Sequence, residues 1–353
     1  GGSNFYKRPI EPPTAMSRAL IAVLVVFAAP ARAFLGGRAA RGSPALLRST
    51  RDSFSAEAAG ASAPAGEMTV GEGVISNVWE LDCYSRPVTV AGKKLWELVI
   101  TDANGVFRYV EPIPANKVNS REVKTRIAAV IDEAPVRPKQ IKFFRRAMFN
   151  MLNIALTDVA TGVAVKPSRT THALYTWLEE REKYVYPEMR GYKKQLAAAP
   201  LLDINTPEKM PDALRGERFA FVTLPASEIL PGGDIDGSNI GVGSLCPVPE
   251  GLNPDGMLPG ILFITSRADN LAMWLAGSDL SFVKVDLKRR ELVMEVGLST
   301  RYLTAKLTDE QRIEGQAFEA GKARLKGLHF IGVQTSEEDD DVKGFWLCRE
   351  MSI

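Results

Sequence analysis

The 353-residue chain has little of what metal and redox sites are built from. Its three cysteines, Cys83, Cys246 and Cys348, lie far apart, and only His172 and His329 supply imidazole. A structural zinc site takes four Cys or His ligands at characteristic spacing, so no such site is expected. Scattered single cysteines read as reduced thiols in a reducing compartment. GxGxxG, Walker, GxSxG and HExxH patterns are missing, which removes the common nucleotide-binding, serine-hydrolase and zincin chemistries. No cofactor is expected. An RNP-type aromatic motif, a KH loop and a double-stranded-RNA-binding pattern are missing as well. The apolar run Ala19–Ala29 has 11 residues, well short of the roughly 20 that cross a bilayer as a helix.

One-signed charge is also lacking. The formal net charge of +2 conceals an asymmetry along the chain. Residues 71–200 carry 20 basic and 14 acidic side chains, whereas residues 201–353 carry 16 basic and 24 acidic ones. A uniformly basic nucleic-acid binder is excluded. A polyanion would bind the first half and be repelled by the second.

The N-terminal stretch reads as an address. Met16 looks like the native start, with the residues before it extraneous. Arg18, the run Ala19–Ala29 and the small-residue site Ala31-Arg32-Ala33 follow in the order of a signal peptide. Phe34 comes next, then Arg38, Arg41, Arg48 and Arg51 among serines and alanines with no acid between Phe34 and Arg51. That basic, hydroxylated composition suits a transit peptide. The pair implies delivery to a plastid stroma through a two-part presequence; simple export is the alternative, and it leaves the arginines unused. Residues 52–72 read as an unstructured linker that completes a presequence region of 1–72.

Alternation predicts strands at Val78–Tyr84 and Leu95–Thr101, the latter turned by Asn104-Gly105 into Val106–Val110. Asn119 or Ser120 would cap a helix with the stripe Val123, Ile127, Val130 and Ile131. Strand Lys139–Phe144, helix Ala147–Ala160, strand Val163–Lys166 and helix Thr170–Lys183 follow. Tyr186–Pro211 reads as a connector. The second half shows strands at Phe219–Leu224, Ile261–Thr265, Phe282–Asp286, Leu292–Val296, His329–Gln334 and Gly344–Cys348. Its helices are Ala268–Ala276 and Asp309–Leu325, and 231–259 reads as a long mobile loop. The expected fold class is α/β, with two domains (73–200 and 201–353), each a mixed sheet covered by helices. A strand, Ser-Arg, helix, Trp-Leu echo at Ser168-Arg169 and Ser266-Arg267 raises the possibility of related halves, with chance convergence as its rival.

Seven segments carry a likeness: WELDCYSRPV, KKLWELVI, FFRRAMFNML, PSRTTHALYTWL, DALRGERFAFVTLP, SRADNLAMWL and GLHFIGVQ with GFWLCRE. Together they resemble the Tab-two family of cyanobacteria and plastids from about Trp79 to Arg349. Cys83 stands where an aromatic is expected, and Thr170 where a second basic residue is expected. The resemblance implies an RNA-binding factor that promotes translation and assembly of photosystem subunits and is not an enzyme. It further implies single-stranded RNA, a plastid mRNA leader, as the partner, with translation or assembly proteins beside it. No residue role carries over from it.

Arginine sits at three predicted strand-to-helix junctions: Arg145-Arg146, Arg169 and Arg267. Unpaired N–H groups make a helix N-terminus positive, so guanidinium groups there suit phosphate. With Arg86 and Lys142 these are the candidate RNA contacts. The competing reading pairs each arginine with the outward-facing acids Glu80, Asp82 and Glu97. Tyr84, Tyr109, Phe143 and Phe144 are candidate stacking platforms, while Trp79, Trp96, Trp177 and Trp274 sit on apolar stripes and read as core. Glu80, Asp82 and Glu97 also suggest a metal-dependent nuclease as an alternative, but Glu97 is followed by Leu98-Val99 rather than by the lysine such a site needs. A protein scaffold using the acidic half is a third reading.

Overall fold

The computed structural model describes residues 66–194 and 206–351, apart from 213, 239, 250 and 339–341. The targeting reading of residues 1–65 lies outside these. The first half forms one six-stranded sheet from β1 (Glu67–Val70), β2 (Val78–Val90), β3 (Lys93–Asp102), β4 (Phe107–Ile113), β5 (Gln140–Phe143) and β6 (Ala164–Pro167), in the order β1-β4-β3-β2-β5-β6. Pairing is antiparallel from β1 to β2 and parallel from β2 to β6. Because side chains alternate along a strand, Trp79, Leu81 and Cys83 of β2 all enter one core with Leu98 and Ile100 of β3. Helices α1 (Ser120–Glu133) and α2 (Phe149–Leu156) cover that face, α1 through the expected Val123, Ile127, Val130 and Ile131. The Asn119 side chain caps α1 by accepting the Glu122 N–H.

Helix α3 (His172–Glu180) packs on the opposite face through Leu174, Tyr175 and Trp177, against Val99 and Phe144. It is shorter than expected, because the chain widens into a π-turn over Arg181–Val185. The linker reading fails at residues 67–70, which pair with Phe107–Val110 as an edge strand.

The second half has two four-stranded sheets where one was expected. Its chain runs β7 (Glu208–Lys209), β8 (Arg218–Pro225), β9 (Val242–Leu245), β10 (Met257–Ile264), α4 (Ala268–Gly277), β11 (Leu280–Asp286), β12 (Glu291–Val296), β13 (Thr300–Lys306), α5 (Asp309–Arg324), β14 (Leu328–Gln334) and β15 (Val342–Arg349). The sheets are ordered β15-β14-β10-β8 and β11-β12-β13-β7. The polar strand β13 escaped notice because its burial comes from packing rather than from alternation. Residues 231–259 are not a free loop. Ile235, Ile240, Cys246 and Leu258 are buried in a common cluster, and Cys246 N–H donates to the Leu347 carbonyl at 3.0 Å.

The echo between the halves is local only. Strand β6 closes the edge of its sheet, whereas β10 lies between β14 and β8, so the halves do not share a strand order. Among the described residues no helix is long and apolar enough to cross a membrane.

Candidate nucleic-acid interface

The outward face of β2 and β3 beneath α3 carries a buried network of charge. Arg145 donates to both oxygens of Asp82 at 2.8 and 2.9 Å, and Arg86 donates to the same carboxylate at 3.0 Å. Burial alone would raise the Asp82 carboxyl, but the Arg86 and Arg145 charges overcome it and hold it below the usual carboxylate range. Glu97 accepts from Arg86 at 3.1 Å, from Arg181 at 2.8 Å and from the Tyr186 hydroxyl at 2.7 Å. Glu80 accepts the Leu174 N–H at 2.8 Å, in the first turn of α3. The glutamates of the two Trp-Glu-Leu triplets therefore hold opposite ends of one helix, Glu80 its start and Glu97 the Arg181 at its end.

This arrangement reassigns most of the candidate RNA contacts. Arg86 is 5% exposed and belongs to the interior, so it offers no surface to a polyanion. Arg145 is committed to Asp82, and its guanidinium lies 4.0 Å from the Tyr84 ring centroid. Lys142 donates to the Thr170 hydroxyl at 3.0 Å, and burial first of all lowers its pKa. Arg169 crosses to the second half, donating to Glu295 at 2.9 Å and to the Leu298 carbonyl at 3.0 Å. Arg267 donates to the Asp212 carbonyl at 3.0 Å. Only Arg146 of the six is exposed without a side-chain partner among the described residues. Of the stacking candidates, Tyr109, Phe143 and Phe144 are buried. Of the acids that suggested a nuclease, Asp82 and Glu97 are used up by the arginine pairs, and Glu80 holds the Leu174 N–H.

The cleft between the halves, about 1010 Å³ in volume, offers mixed charge. Arg108 there pairs with Glu180 at 3.0 Å, and Lys322 with Glu350 at 2.6 Å. Such a lining does not select a polyanion.

Free positive charge gathers elsewhere, at the end of the first sheet where β2 turns into β3. Lys93 and Lys94 stand exposed opposite Val90 and Thr89. The segment after α3 returns to this end: Thr89 N–H donates to the Gly191 carbonyl at 2.9 Å, Lys193 N–H donates to the Pro87 carbonyl at 2.8 Å, and Tyr192 bridges to Val88. Gly191 makes the approach possible, since a Cβ there would lie 2.2 Å from the Thr89 carbonyl oxygen and its φ is +89°. Lys183, Arg190, Lys193 and Lys194 are thereby exposed on the same segment, with Glu182 and Glu188 as the exposed acids among them. Tyr184, 63% exposed, lies in the π-turn with the Lys183 ammonium 4.8 Å from its ring centroid. Sequence reasoning missed this surface because its lysines come from three stretches that only the fold unites. The pairs Lys93-Lys94 and Lys193-Lys194 were the available signal.

The chain is thus a two-domain α/β protein whose first sheet ends in exposed lysines beside an exposed tyrosine, the kind of surface that single-stranded nucleic acids use. Residues 78–181 match the family model described as RNA-binding protein Tab2/Atab2 N terminal, and residues 197–349 match RNA-binding protein Tab2/Atab2, C-terminal domain. The chain belongs to this RNA-binding family. It is 35% identical over 282 residues to the Protein TAB2 homolog, chloroplastic, of Arabidopsis thaliana, covering 77% of this chain and 74% of that one. The protein of the same description in Zea mays is 33% identical over 290 residues, covering 77% and 71%.

Proposed function

We propose that this chain is a plastid RNA-binding factor, without catalysis of its own, that promotes translation and assembly of photosystem subunits. Single-stranded RNA, a plastid mRNA leader, lies across the lysine-bearing end of the first domain, residues 73–200. The acidic second domain, residues 201–353, meets translation or assembly proteins. The plastid assignment draws on the chloroplastic relatives and on the arginine-rich stretch after Phe34, and the photosystem role on the family resemblance. The observation that carries the RNA reading is that the segment with the exposed Arg190, Lys193 and Lys194 is bonded to the sheet end that carries the exposed Lys93 and Lys94. A flexible phosphate backbone can follow such cations, and their attraction weakens with salt as counterions are released.

The test is the salt dependence of binding to a short oligouridylate, followed by fluorescence anisotropy. Each neutralised phosphate contributes a log–log slope of about −0.7 for a single strand. Replacing Lys93, Lys94, Lys193 and Lys194 by serine should therefore flatten the slope by about three units. An unchanged slope places the RNA elsewhere. Delivery is tested separately by fusing residues 16–70 to a fluorescent reporter in an alga with secondary plastids. Phe34→Ala should then stall the cargo outside the plastid.

A further inference from the structure

We infer that Tyr184 is the base-stacking residue of this surface, held outward by the Glu97 clamp, and that the site selects RNA presenting unpaired bases. The inference rests on the reading that the lysine-bearing sheet end holds RNA. A π-turn fits one extra residue into a helical turn and is frequently found at functional sites. Here both shoulders of the turn are tied to one acid. Arg181 reaches Glu97 at 2.8 Å, and the Tyr186 hydroxyl reaches it at 2.7 Å. Arg181 also donates to the Tyr186 hydroxyl at 3.2 Å, closing a triangle. Glu97, Arg181 and Tyr186 are 3%, 7% and 2% exposed, so the clamp is internal.

Between the shoulders Glu182, Lys183 and Tyr184 bow outward into solvent, and Val185 is half-buried. Tyr184 is the large side chain on that bow, and packing does not account for it: it is 63% exposed, whereas Tyr175 and Tyr186 are buried. An aromatic ring in water on a fixed backbone is a platform with little ordering left to lose on binding. The Lys183 ammonium beside the ring adds a cation where the phosphate of a stacked nucleotide would run. A duplex keeps its base faces covered and cannot use the ring, while a single strand can.

Three probes separate the outcomes: a short oligouridylate, an abasic ribose-phosphate strand of equal length, and a duplex of equal length, each titrated against the intact chain. Tyr184→Ser should weaken oligouridylate binding by roughly tenfold and leave the abasic strand unaffected, while Tyr184→Trp retains binding. Equal weakening on both single strands, or none on either, overturns the stacking role. If Tyr184→Ser is silent while the four-lysine variant loses affinity, the RNA surface stands and the stacking inference falls. If both are silent, the surface itself is wrong. The clamp is tested with Tyr186→Phe, which deletes one hydroxyl and keeps the ring. With near-ultraviolet circular dichroism unchanged, it should weaken the oligouridylate and spare the abasic strand. Wild-type affinity in that variant overturns the two-shouldered clamp, since Arg181 would then be the only shoulder still tied to Glu97.

Discussion

Arg145 lays two guanidinium nitrogens on the two oxygens of Asp82, at 2.8 and 2.9 Å, and Asp82 is fully buried. Its neighbour Arg146 points into solvent. Two adjacent arginines, alike in sequence, thus serve different ends: Arg145 caps and Arg146 opens a short 3-10 turn over Arg146–Met148 that follows β5.

That separation is measurable. Removing one partner of a buried ion pair leaves an uncompensated charge, so Arg145→Ala should cost about 3 kcal/mol of stability in urea unfolding, with Arg86 still holding Asp82. Arg146→Ala should stay within about 0.5 kcal/mol. A loss no larger than about 0.5 kcal/mol in Arg145→Ala as well would mean that the Arg145–Asp82 pair contributes nothing to the fold.

Glu80 makes stability depend on pH. Burial is the chief influence and pushes its carboxyl up to about 8, against the pull of the Leu174 N–H and Lys142. Unfolded, the group titrates near 4.5. Between those values the folded chain keeps a proton that the unfolded chain has released, so this group's contribution is lost as pH rises from about 4.5 to about 8. Glu80→Gln keeps an acceptor for the Leu174 N–H and has no proton to lose. Its advantage over the parent should grow from about pH 5 to about pH 8, reaching a few kcal/mol. Parallel urea midpoints across that range would show that Glu80 is not titrating there.

The strands and helices of the first half were legible because their burial follows their periodicity: Trp79, Leu81 and Cys83 face one core, and Val123, Ile127 and Val130 line one helix. The pairing of arginines with the outward acids was legible only as one of two readings. A guanidinium at a strand end meets a phosphate or a carboxylate equally well, and only the lateral distance between β2 and β5 decides. The π-turn was invisible, since Thr170–Lys183 keeps an acceptable helical pattern while Arg181 and Tyr186 converge on an acid more than 80 residues away. The lysine surface was unreadable for the same reason, being joined by hydrogen bonds between Thr89 and Gly191 rather than by spacing.

Arg169 ties the halves together. It bonds Glu295 and the Leu298 carbonyl, while Lys166 reaches Asp279 at 3.0 Å. Arg169→Met should cost about 2–5 kcal/mol, because Glu295 is buried and keeps only Arg301 of its two charged partners. Scanning calorimetry should then resolve two transitions where the parent shows one. A single transition at an unchanged Tm would mean that the halves dock without this pair.

The nuclease alternative makes a prediction opposite to the binding one. A divalent-metal site needs carboxylates free to ligate, and here Asp82 is held by Arg86 and Arg145, while Glu97 is held by Arg86, Arg181 and Tyr186. Opening Asp82 to a metal would strip Arg145 of its carboxylate and Arg86 of one of its two, and opening Glu97 would strip the buried Arg181, a cost of several kcal/mol that a weakly held Mg²⁺ does not return. Purified chain incubated with Mg²⁺ or Mn²⁺ should therefore leave both RNA and DNA intact on a denaturing gel. Asp82→Asn should lower stability without changing that result. Metal-dependent cleavage that disappears in Asp82→Asn or Glu97→Gln would make the acids catalytic and the arginines their accessories.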